Sequence, residues 1–396
     1  MITKESPKRR KIRKPAMETV GILTRRAPDE RGRPFGPPTG FFEECCQAAA
    51  ELNLRTVVFD AADVDSGEGT VEPATVVDGR WVECGREPFP TVIYDRAPVL
   101  DPAGSPAADR ARGLFDRSGI PFVNPRSFIR LAVDKLETCR SLAAGAVAVP
   151  HTECLDERAL RHFLVRYDHV YIKPRAGSRG TGVMEIVRGG GGRHVIRTLA
   201  ATYEIWGARP ARDRVMELAG RFREESRGFL VQQGISSEPA DNRRFPRFDL
   251  RLLMQKTGQA RWILTGLAAR VSQTAGPTAN LSNGARSEEA EPVLDAVYGR
   301  PLRKEILRRA AEASFAACGI LESEFGPIGE VGLDIVPDAA GTPWIIEINA
   351  RPGRNVFKRI AHSADVPAPA RLRYGAIRRR AVARPFEYAK TLTGTG

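Results

Sequence analysis

At 396 residues, with 42% hydrophobic and 28% charged residues, the chain is long enough for two or three packed domains and a sizeable core. No stretch approaches the roughly 18 consecutive apolar residues that span a bilayer, and the N-terminus lacks the apolar centre of a secretory signal, so a transmembrane segment is excluded and a cytoplasmic protein is expected. The formal net charge of +13 invites a nucleic-acid reading, but it is concentrated at the ends: residues 1–16 carry seven Lys and Arg against Glu5, and the chain from Arg371 onward carries seven against Glu387.

Basic tails attract anionic polymers without specificity, and solvated, disordered ends are their commoner form, so no specific nucleic-acid partner is expected. Met17 stands just before the first hydrophobic strand and marks an alternative start, which would make the preceding residues a dispensable extension. From there to about residue 125 short β-rich runs alternate with helical ones, the pattern of an α/β unit with a largely parallel sheet. Strands are expected at Thr19 to Thr24, Arg55 to Asp60, Thr91 to Asp95 and Pro121 to Val123, with a helix over Gly40 to Leu54. An Asp78-Gly79 pair predicts a peripheral hairpin between them. Asn124-Pro125 then reads as N-cap and first position of a helix whose apolar face is Phe128, Ala132, Leu136, Cys139 and Ala143, ending at Gly145.

A helical run near Glu157 to Tyr167 leads to a strand at Val170 to Lys173, a glycine-rich turn, and a second strand at Val183 to Val187. Gly189 to Gly192 predicts a flexible turn or linker. Further strands are expected at Gly228 to Gln233, Asp249 to Gln255 and Arg261 to Arg270. A long helix from Pro301 to Cys318, closed by Gly319, precedes strands at Val331 to Val336 and Trp344 to Asn349. The six cysteines show no CxxC spacing, which argues against a zinc site; adjacent Cys45 and Cys46 read as buried small hydrophobes in a reducing compartment. The five histidines form no HExxH or similar cluster and receive no role.

Two constellations carry chemistry. The segment KPRAGSRGTGV, Lys173 to Val183, places Gly177, Gly180 and Gly182 between two strands. A P-loop would end on its lysine and run into a helix, whereas here the lysine precedes the turn, so the segment reads either as a hairpin closing over phosphates or as a glycine-rich hairpin with no ligand. The second is GLDIV, Gly332 to Val336, with IIEINARPG, Ile345 to Gly353. In a strand, Glu347 and Asn349 share one face, and Asp334 lies on the neighbouring strand among apolar residues. Three oxygen ligands suit magnesium. The competing reading is a buried ion pair with Arg351 or Arg270.

The lysine-led glycine hairpin and the acidic strand pair ending in EINARPG resemble the ATP-grasp superfamily, and more narrowly the YheC/YheD group of endospore coat-associated ATP-grasp proteins. The resemblance covers about Ser127 to Lys358. It implies an α/β ATP-grasp fold of two α+β subdomains clamping ATP at residues 126–360, a preceding α/β pre-ATP-grasp domain at 17–125, a basic extension at 1–16 and a basic C-terminal tail at 361–396. It implies ATP and magnesium, two ions held by Asp334, Glu347 and Asn349. Lys135 and Lys173 become the phosphate-contacting lysines, with Lys173 also near adenine, and Gly177, Ser178, Gly180 and Gly182 become the phosphate loop.

By the same resemblance FLVQQGI is the hinge, where backbone groups of Gln233 and Ile235 meet the adenine edge beside Gln232. Many such hinges carry an acid where Gln232 stands; Glu238 is the nearest candidate for the ribose contact. Arg251 resembles an arginine that steadies phosphates, and Arg270 one that stabilises the transferred phosphoryl group. Asn280, Asn283 and Gly284 would form the loop facing the acceptor. The implied reaction is ligation of a small-molecule or peptide carboxylate to an amine or similar nucleophile. The group's name brings a spore-coat location and a non-catalytic ATP-binding role as the alternative, and dimers are common among similar proteins.

Overall fold

A computed structural model describes residues 18–98, 106–145, 147–177, 180–222, 228–238, 245–273, 276–277, 281 and 284–394. The chain divides into two compact units, the first drawn from Met1–Pro98, Ser105–Val123 and Phe386–Gly396 and the second from Val99–Gly104 and Asn124–Pro385.

In the first unit the order is β1 (Thr19–Thr24), α1 (Thr39–Glu51), β2 (Arg55–Asp60), β3 (Val64–Asp65), β4 (Thr70–Val71), β5 (Ala74–Val77), β6 (Arg80–Glu83), β7 (Glu87–Pro88), β8 (Val92–Asp95) and α2 (Pro106–Arg117). The main sheet runs β6-β5-β2-β1-β8, and β1 pairs in parallel with β2 and β8. These central strands are almost wholly buried, as the continuous apolar runs of a covered parallel sheet require. The hairpin foreseen at Asp78-Gly79 joins β5 and β6, both turn residues having positive φ. The fourth strand reduces to a single parallel bridge from Phe122 to Ile93.

The second unit opens with α3 (Arg126–Val133) and α4 (Lys135–Ala143). Then follow β9 (Thr152–Cys154), α5 (Glu157–Arg166), β10 (His169–Pro174), β11 (Met184–Arg188), β12 (Arg193–Arg197), β13 (Thr202–Trp206), α6 (Ala208–Gly220) and β14 (Phe229–Gln233). These strands form a sheet in the order β13-β12-β11-β10-β14-β9. One face carries Val170, Ile172, Met184, Ile186 and Val231, which pack with Leu160 and Phe163 of α5 and Val215 of α6. The opposite face is polar.

A second sheet, β17-β16-β15-β18-β19, is built from β15 (Phe248–Lys256), β16 (Trp262–Val271), β17 (Arg286–Glu288), β18 (Glu330–Pro337) and β19 (Pro343–Asn349). Its apolar face, including Leu250, Leu252, Leu333 and Ile335, joins the core containing Ile306, Ala310 and Leu321 of α7 (Ala290–Phe325). The other face is capped at one end by α8 (Asn355–His362) and the first part of α9 (Ala368–Thr393), through Leu253, Ala268, Phe357 and Tyr374. The remainder of that face is charged.

Four expectations are corrected. The single helix after Asn124-Pro125 is two helices, because Asp134 leaves helical geometry (φ −95°, ψ 101°) to cap α4. Asn124 caps neither: its amide donates to Glu330 O and Ala350 O and accepts from Gly329 N and Glu330 N. Gly319 lies inside α7, which ends at Gly326 and is kinked where Gly299 adopts φ 75°. The basic C-terminal stretch is not a solvated tail along 368–393: Tyr374, Ala381, Val382, Phe386 and Ala389 recur at helical spacing and are buried between its arginines.

Candidate active site

The polar face of the six-stranded sheet follows from strand register. Tyr171 on β10 stands opposite Glu185 on β11 and Gln232 on β14, and Gln232 stands opposite Thr152 on β9. Lys173, two residues beyond Tyr171, shares this face. Facing pairs on the second sheet are Asp249 with Arg270, Arg251 with Asp334, Asp334 with Glu347 and Gly332 with Asn349. Of these, Tyr171, Lys173, Gln232, Asp249, Arg251, Arg270, Asp334, Glu347 and Asn349 line one cleft of about 360 Å³ within the second unit, the size of a small-ligand site.

Its floor is a ladder of alternating charge. Arg270 donates to both oxygens of Asp249 at 2.6 and 2.8 Å and to Asp334 Oδ2 at 2.7 Å. Arg251 Nε lies 2.9 Å from Asp334 Oδ1. Such groups are tolerated in a buried sheet because each faces an opposite charge. Burial pushes the Asp249 carboxyl up to about 6 against the pull of Arg270. Burial also opposes the Arg270 charge, but Asp249 and Asp334 outweigh it and hold the guanidinium above its ordinary value. Arg251, with desolvation dominant over Asp334, is held below it. Gly332 makes room for Arg251: a Cβ there would come within 2.8 Å of Nη1 and 2.9 Å of Pro352.

The donor set accommodates a magnesium ion. Asp334 and Glu347 are carboxylates set directly opposite each other, an arrangement that repels unless a cation lies between them. The Glu347 side chain makes no hydrogen bond or ion pair among the described residues. Buried Asn349 Nδ2 lacks a hydrogen-bond partner among the described residues, and turning the Asn349 amide over would present its oxygen instead. Among the described residues no three His, Cys, Asp or Glu side chains form a metal cluster, so the set depends on the asparagine. The competing reading holds in part: Asp334 pairs with Arg270, whereas Glu347 pairs with no arginine among the described residues.

Lys173 Nζ donates to Gln232 Oε1 at 2.7 Å and lies over the Tyr171 ring. Burial lowers its pKa from the ordinary lysine value, with Glu347 opposing. Lys135 Nζ donates to Gly177 O at 2.6 Å, and its amide donates to Arg175 O. Arg175 in turn pairs with the Asp134 carboxylate that caps α4, so the glycine-rich turn is fastened to that helix. Gly177, Gly180 and Gly182 have φ of 136°, 78° and 72°, conformations that side-chain-bearing residues rarely adopt.

Of the expected site residues, Lys135, Lys173, Gly177, Gly180, Gln232, Gln233, Ile235, Arg251, Arg270, Asp334, Glu347 and Asn349 all line the cleft. Gly182 belongs to the turn but does not line the cleft; a Cβ there would come within 3.0 Å of Pro174. Glu238 does not line the cleft; it is buried and accepts from Phe245 N, while Ser236 and Ser237 occupy the adjoining wall. Ser178, Asn280 and Asn283 lie outside the described residues, and Gly284 is not among the lining residues. Asp249, Tyr171 and Arg247 line the cleft without having been foreseen. For Asp249 the signal was present: in FDLR it is two residues from Arg251 and therefore on the same strand face.

The family model for YheC/D like ATP-grasp matches residues 119–392. The endospore coat-associated protein YheD of Bacillus subtilis (strain 168) is 29% identical over 352 residues, 85% of this chain and 73% of that protein. Among solved structures, the VanG D-Ala:D-Ser ligase of Enterococcus faecalis is similar with a TM-score of 0.55 at 12% identity, covering 94% of this chain and 99% of that one. D-cycloserine synthetase DcsG is similar with a TM-score of 0.52 at 16% identity, covering 92% and 99%. These likenesses carry the fold, and the family match carries the assignment that the cleft had already suggested: the chain belongs to the YheC/D-like ATP-grasp family.

Proposed function

We propose that the protein is an ATP-dependent ligase that activates a carboxylate as an acylphosphate, with release of ADP, and passes the acyl group to an amine or similar nucleophile with release of phosphate. The observation that carries this reading is the convergence of Asp334, Glu347 and Asn349 with Lys135, Lys173, Arg251 and Arg270 in one cleft. Asp334, Glu347 and Asn349, which line the same cleft, would hold magnesium. Magnesium supplies charge neutralisation for the triphosphate.

The chain's own groups do the rest. Lys135 and Lys173 approach the phosphates from the six-stranded sheet side, and the positive-φ glycines turn the loop over them. Arg251 and Arg270 present cations where charge accumulates as the carboxylate oxygen attacks phosphorus, with Asp249 holding Arg270 in place. No nucleophilic side chain is required. Solution in the cytoplasm, where ATP is available, suits this role.

A second reading is a spore-coat-associated protein that binds ATP without turnover. The name of the YheD relative favours it, as does the engagement of Asp334 by both arginines. An ADP-release screen over paired carboxylates and amines separates the two. Ligase activity predicts at least one productive pair, with Glu347→Gln slower by about 10²-fold or more. Tight Mg-ATP binding without turnover for any pair would favour the coat-associated reading.

A further inference from the structure

Pro385 stands inside α9. A proline carries no N–H, and its ring crowds the carbonyl four residues earlier, so Ala381 O has no donor at the position where a helix would supply one. Two buried side chains supply donors instead: Arg354 Nε at 2.8 Å and Gln255 Nε2 at 2.9 Å. Arg354 also donates through Nη1 to Pro352 O at 3.0 Å and pairs through Nη2 with the buried Glu330 carboxylate, which accepts from Gln255 Nε2 at 2.9 Å as well. One planar fork thus grips β18, α9 and the turn at 349–355 that joins β19 to α8. The turn is fastened a second time where Asn124 donates to Ala350 O at 2.6 Å. Its gripped residues, Ala350, Pro352 and Arg354, are buried, whereas Asn349, Gly353 and Asn355 line the cleft.

We propose that Arg354 is a positioning residue for the cleft, holding the turn at 349–355, and with it Asn349, against α9 through the Ala381 carbonyl that Pro385 leaves open. This rests on the reading of Asp334, Glu347 and Asn349 as a magnesium site. Asn349 is the last residue of β19, so its side chain is aimed by the strand on one side and by this turn on the other. Arg354 is buried and does not line the cleft, so it acts through the turn and touches no ligand. By the same connection α9 belongs to the support of the metal site, although none of its residues lines the cleft.

The test is calorimetric titration of the full-length chain with ATP, once with excess magnesium and once with a chelator, so that the gain in affinity due to the metal is read separately from nucleotide binding itself. Pro385→Ala supplies an N–H that competes with Arg354 for Ala381 O, and Arg354→Lys keeps a charge beside Glu330 but gives up the fork. Both are expected to lower the magnesium-dependent gain by about tenfold or more while metal-free ATP affinity stays within about twofold. Removing a proline from a helix interior favours the helix, so a Pro385 that is only tolerated predicts Pro385→Ala at least as stable in urea and unchanged in its response to magnesium. A gain within about threefold of the wild type in either variant overturns the inference and leaves the metal site standing. Loss of metal-free ATP binding in step with the gain also overturns it, since that is general loosening. A wild type that binds no ATP, or binds it no more tightly with magnesium, overturns the magnesium reading and the inference together.

Discussion

Lys173 shows how one residue's surroundings set a measurable property. Lys173 is half-buried and its near partner is the neutral Gln232 amide, so desolvation lowers its pKa and Glu347 only partly restores it. The protonated form is the one that attracts phosphate. Affinity for Mg-ATP should therefore be complete below the lowered pKa and fall as pH rises through it, before a free lysine at 10.5 would titrate. Fluorescence titration with an ATP analogue from neutral pH upward checks this; Lys173→Met should bind more weakly and lack the step, and a step persisting in Lys173→Met would assign it to another group. At this scale Asp334, Glu347 and both lysines were legible as residues that meet in the cleft, because their motifs are local. It concealed the partners: Thr152 lies 80 positions from Gln232, and only strand pairing brings them together.

The elements that hold these residues are coupled most directly at α4. Asp134 accepts from Leu136 N and Glu137 N and also pairs with Arg175, so the helix cap and the anchor of the glycine-rich turn are the same carboxylate. Asp134→Ala should cost about 1–2 kcal/mol in chemical denaturation through loss of the cap, and should weaken Mg-ATP binding by loosening the turn. Full retention of both would show that Lys135 alone anchors it. Element positions were largely legible where apolar periodicity was strong, as in β1, β2, β15, β18 and β19. The failures have physical causes. Asp134 interrupts a helical apolar pattern without breaking its phase, Gly319 is tolerated inside a long packed helix, and α9 hides a buried stripe under a high arginine content. Strand β13 was missed because exposed and half-buried residues alternate along it at the sheet edge, and β12 because Val195 and Ile196 are its only aliphatic residues, set among Arg193, His194 and Arg197.

Across the second unit as a whole, the two sheets are tied by Glu185. This fully buried carboxylate on β11 accepts from His169, Tyr171 and Arg197 of its own sheet and from Arg247, which leads into β15 of the other; Arg247 also donates to Gly276 O. Burial alone would raise the Glu185 pKa, but His169 and Arg247 outweigh it and hold the group well below the usual carboxylate value of 4.5. A depressed folded-state pKa means that the unfolded chain binds more protons between the two values, so the stabilisation is present above about 4.5 and is lost as pH falls through the folded value. Glu185→Gln removes the charge and leaves the arginines facing a neutral amide. At neutral pH it should be less stable than the wild type by about 3–5 kcal/mol, the scale for breaking a buried pair. Urea denaturation at neutral pH and at successively lower pH should show that deficit shrinking below 4.5, because the wild type alone loses this contribution on acidification. A deficit constant across that range would mean that Glu185 acts through packing and neutral hydrogen bonds, and that its charge does not join the two sheets.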